Sequence, residues 1–257
     1  MNDNFTPSSR AEILAPAKAM IVEAPGWRPI RTFVEFAHSK AVGRWTSRKS
    51  RRALPWESYA ERHFFRCCEV DPNVTRFLAQ PHRMEIMNGR APRPLIYFPD
   101  VRVEYADGTT EIVEVKRSEE ELQDADYAEK LAGAEAVYAA LGWRFRLVIA
   151  EEEIEVDPIY SNAKSICADR FSLILRPAVL AIEEIFHVET AIALGKAEEI
   201  VAKAADVPFD RATAILRAMM CTRRVAVDVS RRVCRDSSVT RPEQATGSRK
   251  RPTGISP

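Results

Sequence analysis

The sequence predicts an α/β protein: a mixed sheet flanked by helices, followed by a smaller, mostly helical domain. Three observations predict it. Between residues 53 and 157, stretches of two-residue apolar alternation are interleaved with stretches of helical spacing. A continuous apolar run, Phe145-Arg-Leu-Val-Ile-Ala150, reads as a central buried strand. Beyond Pro158 the chain turns rich in Ala, Ile and Leu at helical spacing.

Each element has a local reason. Residues 1–52 carry weak periodicity and end in a basic run, Lys40 to Arg52, and the stretch reads as a separate N-terminal arm. Pro55 suits a first helical turn, and Trp56, Ala60, Phe64 and Cys68 recur every four residues as one buried stripe. Glu57 and Glu61 form a second stripe at the same spacing. Asp71-Pro-Asn73 ends this helix, and one or two short strands are expected around Gln80-Pro81. Asn88–Pro94 reads as a loop. Leu95–Tyr105 and Thr109–Lys116 read as two strands across a turn, with Gly108 supplying the positive φ of a tight hairpin. Glu119–Leu141 reads as one helix stopped by Gly142, and Trp143–Ala150 as the strand that follows. In the C-terminal part, Lys196–Ala205 and Phe209–Met220 read as helices separated by Asp206-Val-Pro208, the second capped by Asp210. Arg224–Val229 alternates like a strand, and residues 236–257 read as a disordered tail. The expected organisation is therefore an arm (1–52), an α/β domain (53–157), a helical domain (158–235) and the tail.

Composition narrows the function classes. The 257 residues have a net charge of +1, a hydrophobic fraction of 46% and a charged fraction of 29%, which excludes whole-chain disorder. No run approaches the roughly 18 apolar residues of a membrane span. The first residues, MNDNFTPSSR, lack the pattern of a secretory signal. Five cysteines without a C-x-x-C pair read as reduced thiols, mostly buried, in a cytoplasmic protein, and four scattered histidines argue against a zinc site. The small net charge hides an asymmetry: residues 1–52 carry +6, residues 53–157 carry −10 and residues 158–257 carry +5. Basic flanks around an acidic centre are expected of a protein that grips a polyanion and holds a cation, and also of solvated helix faces. Motifs must choose.

The informative motif is Phe98-Pro-Asp100 with Glu114-Val-Lys116. In a strand, residues two apart share a face, so Glu114 and Lys116 lie together, as do Asp100, Arg102 and Glu104. Whether Asp100 meets Glu114 depends on parity. A two-residue loop would set Asp100 with Val115; the three-residue loop Ala106-Asp107-Gly108 sets it opposite Glu114. Two adjacent carboxylates repel unless a cation lies between them, and Mg²⁺, bound by one or two carboxylates plus waters and phosphate oxygens, suits the pair. Lys116 adds a cation able to orient a water or stabilise phosphorane charge. These three groups suffice for metal-assisted phosphodiester hydrolysis. The competing explanation is an ordinary solvent-side salt bridge.

The stretch from Ser58 to Ile154 resembles the PD-(D/E)xK nuclease superfamily and, within it, the N-terminal domain of TnsA-type transposon endonucleases. The matching pieces are Ser58-Tyr-Ala-Glu61-Arg-His-Phe-Phe, Asp71-Pro-Asn-Val-Thr-Arg-Phe, Gln80-Pro81, Pro99-Asp100, Asp107-Gly108, Glu114-Val-Lys116, Lys130, Gly142-Trp-Arg-Phe-Arg-Leu-Val-Ile and the acidic turn Glu151–Ile154, in the family's order. The resemblance implies a restriction-endonuclease-like sheet and a winged-helix-like second domain. It implies that Glu61, Asp100 and Glu114 bind Mg²⁺, with Mn²⁺ a substitute, and that Lys116 is the catalytic lysine. Glu57, one turn from Glu61, competes for the helix position. Implied partners are double-stranded DNA, a DDE-type transposase subunit and an AAA+ ATPase regulator. Arg48, Lys49, Arg51, Arg52 and Gln80 are candidate DNA contacts. A stand-alone restriction or repair nuclease, or a non-catalytic DNA-binding scaffold, are the alternatives.

Overall fold

The computed structural model describes residues 10–14, 18–31, 41–87 and 93–242. They form two compact units, one from residues up to 69 and 74–160, the other from residues 70–73 and those after 160. Among the described residues, no helix is long and apolar enough to cross a membrane.

The first unit contains β1 (Arg10–Leu14), β2 (Lys18–Glu23), β3 (Gly43–Ser47), β4 (Arg52–Trp56), α1 (Tyr59–Val70), β5 (Val74–Ala79), β6 (His82–Met87), β7 (Leu95–Tyr97), β8 (Val101–Tyr105), β9 (Thr110–Lys116), a short 3-10 turn (Glu119–Leu122), α2 (Ala125–Ala140), β10 (Arg144–Ile149) and α3 (Ala150–Glu153). Its strands divide between two four-stranded sheets, ordered β1-β2-β6-β7 and β10-β9-β8-β5, and a separate β3–β4 hairpin. The second sheet is mixed: β10 runs parallel to β9, the other pairs antiparallel. A parallel pair needs a crossover, and α2 provides it.

Several expectations change. Within the stretch 1–52, β2 pairs with β6 over its whole length, so these described residues belong to the first unit rather than to an arm. Pro55 does not open α1; it lies in β4 opposite Arg44, a position where a missing N–H costs no ladder bond. The helix begins instead at Ser58, whose Oγ accepts from the Glu61 N–H at 3.1 Å. Leu95–Tyr105 is two strands in different sheets, broken at Phe98-Pro-Asp100. The helix over 119–141 is interrupted at Asp124, whose carboxylate accepts from the N–H groups of Asp126 and Tyr127 and starts α2 afresh. The 144–149 strand is an edge strand, β10, rather than a central one; its neighbours within the unit leave it only partly covered over Phe145–Leu147.

The core that carries the site lies under α2. Leu131, Ala134, Val137 and Tyr138 pack with Ala19, Ile21, Met84, Ile86 and Tyr97 of the first sheet and Ile112 of the second. Full burial of each large apolar side chain here contributes about 1.5–3 kcal/mol. One helix thereby clamps both sheets, and residues on β7 and β9 are brought to the same interior.

The second unit contains α4 (Ile159–Ala168), α5 (Arg176–Val188), β11 (Ala191–Ala193), α6 (Leu194–Ala205), α7 (Phe209–Cys221), β12 (Ala226–Val227) and β13 (Ser238–Thr240). The short strands form one antiparallel sheet in the order β11-β13-β12. The α6–α7 break is at Asp206, held at φ 50 as a left-handed cap. Asp210 is not the cap of α7; Pro208 occupies that place, and Asp210 sits in the first turn. The strand expected over 224–229 shortens to two residues, and Ser238–Thr240, expected in the tail, joins the sheet. Residues 243–257 of the expected tail lie outside the described residues. Of the cysteines, Cys68, Cys167 and Cys221 are buried, Cys67 is half-buried and Cys234 is exposed; all are free thiols.

Candidate active site

The β8–β9 hairpin decides the geometry. Val101 pairs with Val113 and Glu104 with Thr110. The Tyr105 N–H donates to the Thr109 carbonyl at 2.9 Å, closing a loop of Ala106, Asp107 and Gly108. Gly108 has φ 83, which a residue with a Cβ adopts only under strain. The loop is odd, so the register carried one step further sets Asp100 opposite Glu114. A hydrogen bond confirms the proximity: the Val115 N–H donates to Asp100 Oδ2 at 2.8 Å. Asp100 is also held from behind, as the Gln80 N–H donates to its carbonyl at 2.7 Å. Gln80 itself is buried at φ 43, and its carbonyl accepts from the Ile30 N–H.

Glu114 is 3% exposed and surrounded by donors. Its Oε1 forms an ion pair with Lys116 Nζ at 3.0 Å and accepts from the Tyr127 hydroxyl; its Oε2 accepts from the Tyr97 hydroxyl at 2.7 Å. The Lys116 ammonium also sits 4.7 Å from the centre of the Tyr127 ring. Burial, which lowers the Lys116 pKa, is outweighed by the Glu114 and Asp100 charges, so the ammonium is held above its ordinary range.

Glu61 arrives from the first turn of α1. It is 6% exposed, and its Oε2 accepts from the Glu57 N–H at 3.0 Å. Ser58 and Glu61 thus act as a near capping box, a signal present in the sequence as S-x-x-E. Burial, with the Glu57 and Glu114 charges adding, raises the Glu61 pKa to about 7. The same forces act on Asp100: burial first, then Glu114 and Glu61, raise its pKa well above the usual carboxylate value. Of the two glutamates, Glu57 precedes α1 and turns outward to Arg31 at 2.8 Å, while Glu61 in the first turn faces inward. Glu61, Asp100, Glu114 and Lys116 therefore share one buried electrostatic neighbourhood.

The three acids do not form a closed cage. Among the described residues, no group of three or more His, Cys, Asp or Glu side chains stands ready to hold a metal ion. Mg²⁺ does not require one; one or two carboxylates with waters and phosphate oxygens suffice. The donor set suits such an ion: hard carboxylate oxygens brought close together, which repel one another unless a cation lies between them.

The basic run fares differently. It forms the β3–β4 turn, fastened to the fully buried Glu69, which accepts from Ser47 Oγ at 2.7 Å and from the N–H groups of Arg48 and Lys49 at 2.7 and 3.1 Å. Lys49 Nζ donates to the Cys68 carbonyl at 2.8 Å, and Arg52 donates to the carbonyls of Gly26 and Trp27. Lys49 and Arg52 are thus engaged within the fold, while Arg51 is exposed at the turn with φ 54. Gln80 serves Asp100 through its backbone. His63 pairs with Glu155 at 2.6 Å. Tyr97 and Tyr127 went unremarked in the sequence; a lone tyrosine near a motif is indistinguishable there from core packing.

No curated protein matches the chain. A family profile described as TnsA-like endonuclease N terminal matches residues 71–150, the stretch from β5 to the end of β10 that contains Asp100, Glu114 and Lys116. Glu61 lies ahead of the matched stretch. With the hairpin register and the acid–lysine cluster in place, residues 71–150 of the chain are similar to the TnsA-like endonuclease N-terminal domain.

Proposed function

We propose that the protein is a Mg²⁺-dependent DNA endonuclease and serves as the TnsA-like subunit of a heteromeric transposase, cutting at transposon ends beside a DDE-type transposase subunit and an AAA+ ATPase regulator. The observation that carries the reading is the meeting of Asp100, Glu114 and Lys116 in a buried neighbourhood within the matched domain. Asp100 and Glu114, with Glu61 from α1, would hold the ion; Mn²⁺ would substitute. Bound there, the ion supplies Lewis-acid activation of the scissile phosphate and of the attacking water. Lys116, kept protonated, orients the water and stabilises the charge that develops on the phosphoryl oxygens.

The second unit supports a DNA-binding role. From α5 onward, the order helix, strand, two helices, strand, strand supports a winged-helix reading, in which α7 would take the recognition position and the 228–237 connection the wing. Most of α7 is buried, and Arg217 is paired with Asp169. Arg231 and Arg232, exposed on the wing, are better suited to phosphate contact than α7 is to base reading. In the first unit Arg51 is the best-disposed phosphate contact; Arg48 sits on the same turn.

The test is cleavage of duplex DNA in Mg²⁺ by the wild type, Asp100→Ala and Lys116→Ala, with the partner subunits present. Cutting by the wild type, lost by at least about 100-fold in each variant, is expected. Equal cutting by all three overturns the assignment. One observation favours a second reading, a non-catalytic DNA-binding component: an ammonium and two tyrosine hydroxyls already face the Glu114 carboxylate. Tight divalent binding that disappears in Asp100→Ala separates the enzyme from the binder.

A further inference from the structure

We propose that Tyr97 and Tyr127 are positioning residues that fix the Glu114 carboxylate for its work on the ion. The inference rests on the nuclease reading of the same site and specifies how that site is held. Three elements converge on this one side chain. Tyr97 comes from β7 of the first sheet, Tyr127 from the first turn of α2, and Glu114 from β9 of the second sheet. Tyr97 is 3% exposed, its ring sealed in the α2 core with Met84, Ile86 and Leu131. A ring packed in this way leaves its hydroxyl almost no freedom, and Tyr97 Oη holds Glu114 Oε2 at 2.7 Å.

Tyr127 does a second thing. Its hydroxyl donates to Glu114 Oε1, while its ring lies under the Lys116 ammonium. It thus keeps the lysine and the glutamate in a single arrangement, at a helix start pinned by the Asp124 cap. A carboxylate has about four lone-pair positions. Tyr127 takes one of them on Oε1, beside which the Lys116 ammonium lies at 3.0 Å, and Tyr97 takes one on Oε2. A lone pair on Oε2 stays available to a hard cation, and Tyr97 determines how that oxygen is turned. Neither tyrosine touches the reacting atoms; both act through Glu114. Partners of this kind, hydrogen-bonded to a ligand, alter metal affinity or activity by about 10–100-fold when removed.

The experiment measures Mn²⁺ affinity of the full chain, with the metal alone as probe, for the wild type, Tyr127→Phe, Tyr97→Phe and Asp100→Ala. Thermal unfolding in chelator and Mg²⁺-supported duplex cleavage accompany it. Each phenylalanine variant is expected to weaken Mn²⁺ binding by about 10-fold or more. The kcat is expected to fall with unchanged KM for DNA and to recover in excess Mn²⁺. Wild-type Mn²⁺ affinity in Tyr127→Phe overturns the proposal, whatever its thermal stability, because a hydroxyl that only supports the fold would lower stability and leave affinity alone. If Tyr97→Phe does not fold, the half-exposed Tyr127 decides the question. A wild type that binds no Mn²⁺, or binds it equally well after Asp100→Ala, overturns the metal-site reading and the positioning role together. That failure shows in the wild type, and failure of the positioning role alone shows only in the tyrosine variants.

Discussion

Glu61→Gln should stabilise the metal-free protein at neutral and alkaline pH. Glu61 is buried, and its pKa is raised from 4.5 to about 7 by burial and by the Glu57 and Glu114 charges. A carboxylate whose pKa is higher in the folded than in the unfolded chain gives stability that is complete below the unfolded value. That stability is lost as pH rises through the folded value. For Glu61 the window is pH 4.5 to 7, and the loss above it is roughly 3 kcal/mol. Glutamine removes the charge, and its carbonyl oxygen can still accept from the Glu57 N–H, so the start of α1 survives. The expected gain at pH 8 is therefore roughly 3 kcal/mol, shrinking to nothing at pH 4.5. All four tryptophans precede residue 160, so urea unfolding followed by fluorescence in chelator reports the first unit. At a slope of about 2 kcal/mol/M the midpoint should rise by about 1.5 M. A variant no more stable than wild type at pH 8, or a gain that does not vary with pH, refutes the reasoning.

His82 should bend the profile the other way. Burial, then the Arg102 charge, lower its pKa from 6.5 to about 3. Stability tied to the neutral ring is present above pH 6.5 and is lost as pH falls toward 3, to roughly 5 kcal/mol. In a Glu61→Gln background, adding His82→Gln should make this descent shallower, read from the same unfolding curves. Glu69→Ala leaves the Ser47 hydroxyl and the N–H groups of Arg48 and Lys49 without their acceptor, at a cost of about 2–3 kcal/mol. The same variant should loosen the turn that carries Arg51, and weaker duplex DNA binding in a mobility-shift titration checks that.

The hairpin was legible in the sequence because its determinants are local. Strand alternation, Gly108 and loop parity require nothing beyond their own dozen residues, and they set Asp100 against Glu114. The S-x-x-E start of α1 was equally present but was masked by Pro55, which suits a helix start as well as an edge strand. The division of Leu95–Tyr105 between two sheets could not be read, since both halves are good strand sequence. What separates them is the company each keeps, β6 for one and β9 for the other.

Local sequence determined that two carboxylates and a lysine would share a face, because side-chain direction along a strand follows from backbone geometry alone. Only the tertiary structure decided that Glu61 of α1 turns inward while Glu57, just ahead of it, turns out, and that tyrosines from β7 and α2 close on Glu114. It also tied Lys49 and Arg52 into the fold. Those outcomes depend on packing between segments far apart in the chain, where burial and charge act through space and leave no periodic trace in the order of residues.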